Sequence, residues 1–237
     1  MMPRKRRNNM IKNRNLQLLF QTAYCTLGLV AVAASLGLFD MRFQWDFYIF
    51  FTNLSNYFCI AVMFMELKQT LKKNEDSLVT AHPLLKFVGM LGILLTFLVF
   101  NLLLANAADR DPRDNFKVSS VLLHVVLPLM YTADWILFYK KGKVKVSYPF
   151  LSLIFPLTYL GYIYAHAAIK HFDSSVMNLS GVTPLIYPYF FLNPEKSGVL
   201  GVVGWCAGLV VLFAIGGFIF MGVDRLLLKI KGGPKNA

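Results

Sequence analysis

The sequence predicts an all-helical, polytopic membrane protein with six transmembrane helices and both termini in the cytoplasm. Three observations predict it. The first is composition: 57% of the 237 residues are hydrophobic and only 15% are charged, against roughly 45–50% apolar and about 25% charged in soluble domains. The second is arrangement: six apolar runs, at 16–39, 47–67, 84–108, 118–139, 149–169 and 199–228, each approach or exceed the ~20 residues a helix needs to cross a hydrocarbon core of about 30 Å. The third is charge: of the 24 Lys and Arg, 18 fall on one side of these runs and six on the other, alternating loop by loop. Cytoplasmic loops carry the excess of Lys and Arg. Together these exclude a soluble enzyme, a disordered chain and a disulfide-stapled secreted module.

Each run is expected to be a helix because none alternates polar and apolar residues as a membrane strand would, and lipid tolerates no unpaired backbone. The chain then divides into a basic cytoplasmic tail at 1–15, a six-span membrane domain at 16–228 and a basic cytoplasmic tail at 229–237. The first run follows a basic start and contains Ala31-Val32-Ala33, which imitates a cleaved leader. It is longer than a leader's apolar stretch and continues past that site, so a retained span is expected. Between the first two runs lies a short outer loop, 40–46, with Trp45 at the interface. The second outer loop, 107–117, carries Asp109, Arg110, Asp111, Arg113 and Asp114, a self-neutralising, solvated turn. The third, 170–198, contains the run 185–192, Leu-Ile-Tyr-Pro-Tyr-Phe-Phe-Leu. That run is too apolar for water and too short to span, so it is expected to fold back over the outer mouth of the bundle or to anchor at the headgroups.

The net charge of +12 does not point to nucleic acid, because the basic residues sit where they would orient membrane segments. Membrane lipids, with anionic headgroups on the cytoplasmic side, are the expected partners. No protein partner is indicated. The expected location is a cell membrane, most simply a bacterial plasma membrane. Cys25, Cys59 and Cys206 lie inside apolar runs without ligand spacing; they read as small buried hydrophobes, with no metal site and no cofactor implied.

Polar groups at membrane depth are costly and face the bundle interior, so they are the best functional pointers. Counted from the outer ends of their runs, Thr52 and His124 lie at matched depth, roughly 7–9 Å in at 1.5 Å per residue. Asn101 and His166 reach the same outer half from the third and fifth runs. Thr52, Ser55, Asn56 and Cys59 follow at i, i+3, i+4 and i+7, one helix face. Pro128, four residues after His124, is expected to free a backbone carbonyl and kink the helix. One reading makes Thr52 a nucleophile and neutral His124 its base. Asn53 or Asn56 would then donate to the oxyanion, with Asn101, His166 and Tyr187 as further pocket or oxyanion candidates. The other reading makes the same groups interhelical hydrogen-bonding partners and nothing more. Asp134 lies about 15 Å deeper than His124 and reads as a structural ion pair or an acid at the inner interface, as do Glu66 and Asp224.

Six spans, Phe51-Thr52-Asn53-Leu54, His124 followed by Leu127-Pro128, and Tyr187-Pro188-Tyr189-Phe190-Phe191-Leu192 before the last span resemble the androgen-induced membrane-protein family. The chain looks like a bacterial relative of it. The resemblance implies a six-pass hydrolase of fatty-acid esters of hydroxy fatty acids, with an intramembrane threonine as nucleophile, falling on Thr52, and a histidine partner, falling on His124. The chain departs from the family pattern at Ser55, where the family carries Asn, and has no Trp before Tyr187. The expected activity is therefore lipid-ester hydrolysis. Two other functions are open to the same sequence: a transporter or scaffold, and a b-type haem protein ligated by His124 and His166.

Overall fold

A computed structural model describes residues 10–39, 41, 43–72, 82–107, 111–176 and 185–232, with the side chains of 171–176 and 231–232 outside the description. Expectations for the tail residues 1–9 and 233–237, and for Asp40, Arg42, Lys73, Asp109 and Arg110, lie outside the described residues. The described residues form helices and turns, with no strand among them.

Helix α1 spans Arg14–Ser35. Asn13 starts it by accepting the Leu16 N–H at 3.2 Å, which satisfies one of the orphan donors of the first turn. It ends where Gly37 adopts φ 75°, the left-handed conformation that closes many helices. Arg14 crosses to the end of α2, Phe51–Lys72, donating to the carbonyls of Thr70 and Leu71 at 3.1 and 3.0 Å. A cation at that pole complements the helix dipole. Helix α3 covers Pro83–Val99 and continues through a π-helical turn, Phe100–Leu104. A single rod follows, made of α4 (Val118–Val121), a second π-helical turn (Leu122–Val126) and α5 (Leu127–Leu137). Helices α6 (Tyr148–Ser152) and α7 (Ile154–Val176) are joined through Leu153. Helix α8 runs from Pro194 to Gly232, kinked at Gly198, where φ is 68°.

Five of these segments are long and apolar enough to cross a membrane: Arg14–Ser35, Pro83–Leu104, Val118–Leu137, Tyr148–Lys170 and Pro194–Ile230. They make the chain a multi-pass membrane protein. The second expected run is where the structure differs. Residues Trp45–Ile49 form a 3-10 turn, Phe50 is extended, and the helix starts only at Phe51. At 22 residues α2 is long enough, but it buries Thr52, Asn53, Ser55, Asn56 and Glu66 and so falls short of a spanning helix's hydropathy. It packs on α1 and α3 and buries these groups there. The core joins α1, α2, α3 and α5 around Tyr24, Met63, Phe87, Tyr131 and Trp135.

Lys86 corrects one reading. One of the 18 basic residues counted on the cytoplasmic side, it turns inward from the first turn of α3, 1% exposed, with Nζ 2.6 Å from the Asp134 carboxylate. Its ammonium also stands 3.9 Å from the Tyr131 ring centre. Asp134 is thus the structural ion pair expected, with a partner from a different helix. Lys141, counted on the same side, is buried and donates to the Trp135 carbonyl at 2.7 Å.

The aromatic run before α8 folds back onto the bundle. Phe191 and Leu192 are buried with Ile49 and Ile163. Tyr164 of α7 donates to the Leu192 carbonyl at 3.0 Å, and Tyr189 stacks on Phe191 at 5.1 Å.

Candidate functional site

The start of α2 is fixed from both sides. Asn53 donates to the Phe47 carbonyl at 2.7 Å, and the Tyr159 phenol of α7 donates to the Ile49 carbonyl at 2.8 Å. These bonds take up carbonyls of the 3-10 turn and leave Thr52 in the first turn of the helix, 9% exposed.

Thr52 borders two different spaces. One is a narrow apolar slot of about 70 Å³, walled by Leu157 and Leu160 of α7, Leu209 and Val210 of α8, and Val99 and Leu104 of the α3 rod. The other is a wider, open vestibule of about 630 Å³, reached by Asp46, Asn53, Ser120, His124, Tyr187 and Lys196. Four residues line both: Thr52, Phe100, Leu104 and Tyr189.

His124 sits in the second π-helical turn. Its Nδ1 is 2.9 Å from the Ser120 carbonyl. A carbonyl only accepts, so Nδ1 carries the proton and Nε2 carries the lone pair. The imidazole stacks on Phe100 with ring centres 3.5 Å apart and planes 10° apart, so its plane is fixed by an aromatic wall from the other π-helical turn.

The π geometry has identifiable support. Pro128 cannot donate to the carbonyl four residues back, and that carbonyl, on His124, accepts from Asn101 Nδ2 at 3.3 Å. Asn101 Nδ2 also donates to the Phe97 carbonyl at 2.7 Å. Asn56 Nδ2 likewise donates to Thr52 and Leu123 carbonyls at 2.8 and 3.0 Å. The amide hydrogens of both residues therefore hold backbone.

The polar stripe on α2 divides by role. Ser55 meets Thr96 Oγ1 of α3 at 2.8 Å and Cys59 donates to the Gly89 carbonyl at 3.2 Å, so at Ser55, Asn56 and Cys59 the contacts are interhelical bonds. Thr52 is the member that faces cavities. Of the other sequence candidates, Asn53 and Tyr187 line the vestibule. His166 lines neither space; it pairs with the Tyr48 hydroxyl at 3.4 Å.

Sequence reasoning missed three residues here. Ser120 was findable, four residues before His124 on the same helix face. Phe100 and Tyr189 were not, since each stands in a run of similar residues. Tyr189 stands with Thr52 where the two spaces meet, lining both. Enclosure pushes this phenol above its ordinary value, so it stays protonated at neutral pH. Among the described residues no group of three His, Cys, Asp or Glu side chains is arranged to hold a metal ion.

No family model, curated protein or solved structure matches this chain.

Proposed function

We propose that the protein is an integral membrane hydrolase of lipid (fatty-acid) esters, with Thr52 as nucleophile and His124 as base. The observation that carries this reading is the place of Thr52 on the border between an apolar slot and a polar vestibule that also contains His124. In this reading the apolar slot receives the acyl chain, the ester carbonyl stands at the border, and the polar leaving group and water occupy the vestibule.

In the first half-reaction Thr52 Oγ bonds to the carbonyl carbon while its proton passes to His124 Nε2. The C=O electron pair moves to oxygen, then returns as the C–O bond to the leaving group breaks. The leaving alkoxide takes the proton from Nε2. Water repeats the sequence on the acyl-Thr52 ester and releases the fatty acid. The resemblance of Phe51-Thr52-Asn53-Leu54 and His124 to the androgen-induced membrane-protein family supports the same roles. In this reading the chain crosses a cell membrane six times with both termini inside, α2 being the sixth crossing. Bilayer lipid is both its solvent and its source of substrate, and anionic headgroups face its basic inner loops.

The test is hydrolysis of long-chain lipid esters by the protein reconstituted in vesicles. Thr52→Ala and His124→Ala should each lower kcat by at least about 10³-fold, and the double variant should be no slower than the worse single one. Undiminished turnover in Thr52→Ala would overturn the assignment.

A further inference from the structure

We propose that Tyr189 is a third catalytic residue, the hydroxyl donor that stabilises the oxyanion formed at Thr52; this rests on the hydrolase reading above. Of the four residues that line both the slot and the vestibule, Phe100 and Leu104 are apolar, and Thr52 and Tyr189 carry the hydroxyls. A carbonyl held at the border for attack by Thr52 therefore meets one other side-chain donor common to both spaces. That donor stands with Thr52 at the border, since the two residues line both spaces.

Two of the three candidate amides are committed elsewhere. Asn56 and Asn101 each spend their Nδ2 hydrogens on two carbonyls; Asn53 gives one hydrogen to Phe47 and lines the vestibule but not the slot. The phenol ring is held in place by stacking on Phe191 at 5.1 Å and by an edge contact with Phe50 at 6.1 Å. A donor fixed before the charge develops costs no reorganisation when it does. As Thr52 Oγ adds to the carbonyl, the C=O pair collects on oxygen. The Tyr189 O–H donates a hydrogen bond to that oxygen without transferring its proton. When the C–O bond to the leaving group breaks, the carbonyl re-forms and that hydrogen bond weakens. Because Tyr189 comes from the segment that folds back over the bundle, the site is complete only with that segment docked.

Tyr189→Phe keeps the ring contacts and removes the hydroxyl. In reconstituted vesicles it should lower kcat by about 10²–10³-fold, the cost of one oxyanion donor, with KM within about threefold. It should slow covalent labelling of Thr52 by a long-chain fluorophosphonate to a comparable degree, since that reaction also places charge on an oxygen. Tyr139→Phe, which removes a phenol stacked on Trp135 at the opposite end of the bundle, should leave kcat unchanged. If Tyr189→Phe keeps kcat within threefold, or raises KM alone, Tyr189 is not the donor even though Thr52→Ala is inactive. If the wild type is neither labelled at Thr52 nor active on any long-chain ester, the hydrolase reading has failed and the role of Tyr189 fails with it.

Discussion

His124 can act as a base only if Nε2 holds its lone pair, and a backbone carbonyl decides that. Ser120, one turn earlier, fixes the proton on Nδ1, and Phe100 fixes the ring plane. The other charged side chains at depth are held as tightly, for a different end. Lys86 and Asp134 meet at 2.6 Å, nearly free of solvent. Removing one partner of such a pair leaves a bare buried charge and costs about 3–5 kcal/mol, whereas replacing both with apolar residues is close to neutral. Unfolding in SDS should show this pattern for Lys86→Met and Asp134→Asn against the double variant Lys86→Met/Asp134→Leu; additive losses would mean that the two do not act as a pair. The sequence made Thr52 and His124 legible because a hydroxyl and an imidazole stand out in apolar runs. It hid Lys86, because a lysine at the end of a span ordinarily extends to the interface; only the approach of α3 to α5 shows that this one turns inward. Tyr189 was hidden for the opposite reason, as one aromatic among several.

At the scale of elements, the two π-helical turns form one wall of the vestibule. Phe100 comes from one and His124 from the other, and π turns recur at functional sites because they re-aim side chains out of helical register. Pro128 is the sequence cause that was readable: the carbonyl it frees is on His124 and is bound by Asn101. The π turns themselves were not readable, since a wide turn depends on which side chains donate to the displaced carbonyls, here Asn56 and Asn101. Pro128→Ala restores an N–H that competes for the His124 carbonyl and draws the turn toward α-geometry. Stability in SDS unfolding should hold or rise, while kcat on a lipid ester should fall by about 10–100-fold, the penalty for a displacement on the order of 1 Å. A variant with unchanged kcat would show that the kink does not position the histidine. The start of α2 was misplaced by four residues, because residues 47–51 are continuously apolar and only the capture of the Phe47 and Ile49 carbonyls by Asn53 and Tyr159 shows why the run begins as a 3-10 turn.

Across the whole molecule, hydrogen bonds gather the ends of the helices that the charge pattern assigns to the cytoplasm. The Ile11 N–H, just before α1, bonds the Leu137 carbonyl at the end of α5 at 2.9 Å. Arg14 caps the last turn of α2. Asp224, late in α8, accepts the Val144 N–H at 3.1 Å. The start of α1 and the far end of α8 thus share one end of the bundle with the Lys140–Lys145 loop. Thr52, His124 and the aromatic segment lie toward the other end. Single cysteines test the arrangement directly. Gln44→Cys reports the outer loop. Lys143→Cys reports the inner one and is preferable to the neighbouring Gly142, whose φ of +74° and 2.7 Å approach to Leu228 leave no room for a side chain. Both positions are exposed, while the native Cys25, Cys59 and Cys206 lie within α1, α2 and α8. A membrane-impermeant maleimide should label position 44 on intact cells and position 143 only after permeabilisation, with the order reversed in inside-out vesicles. Labelling of both from one side would remove α2 as a crossing and place the vestibule in a different compartment from the one argued here.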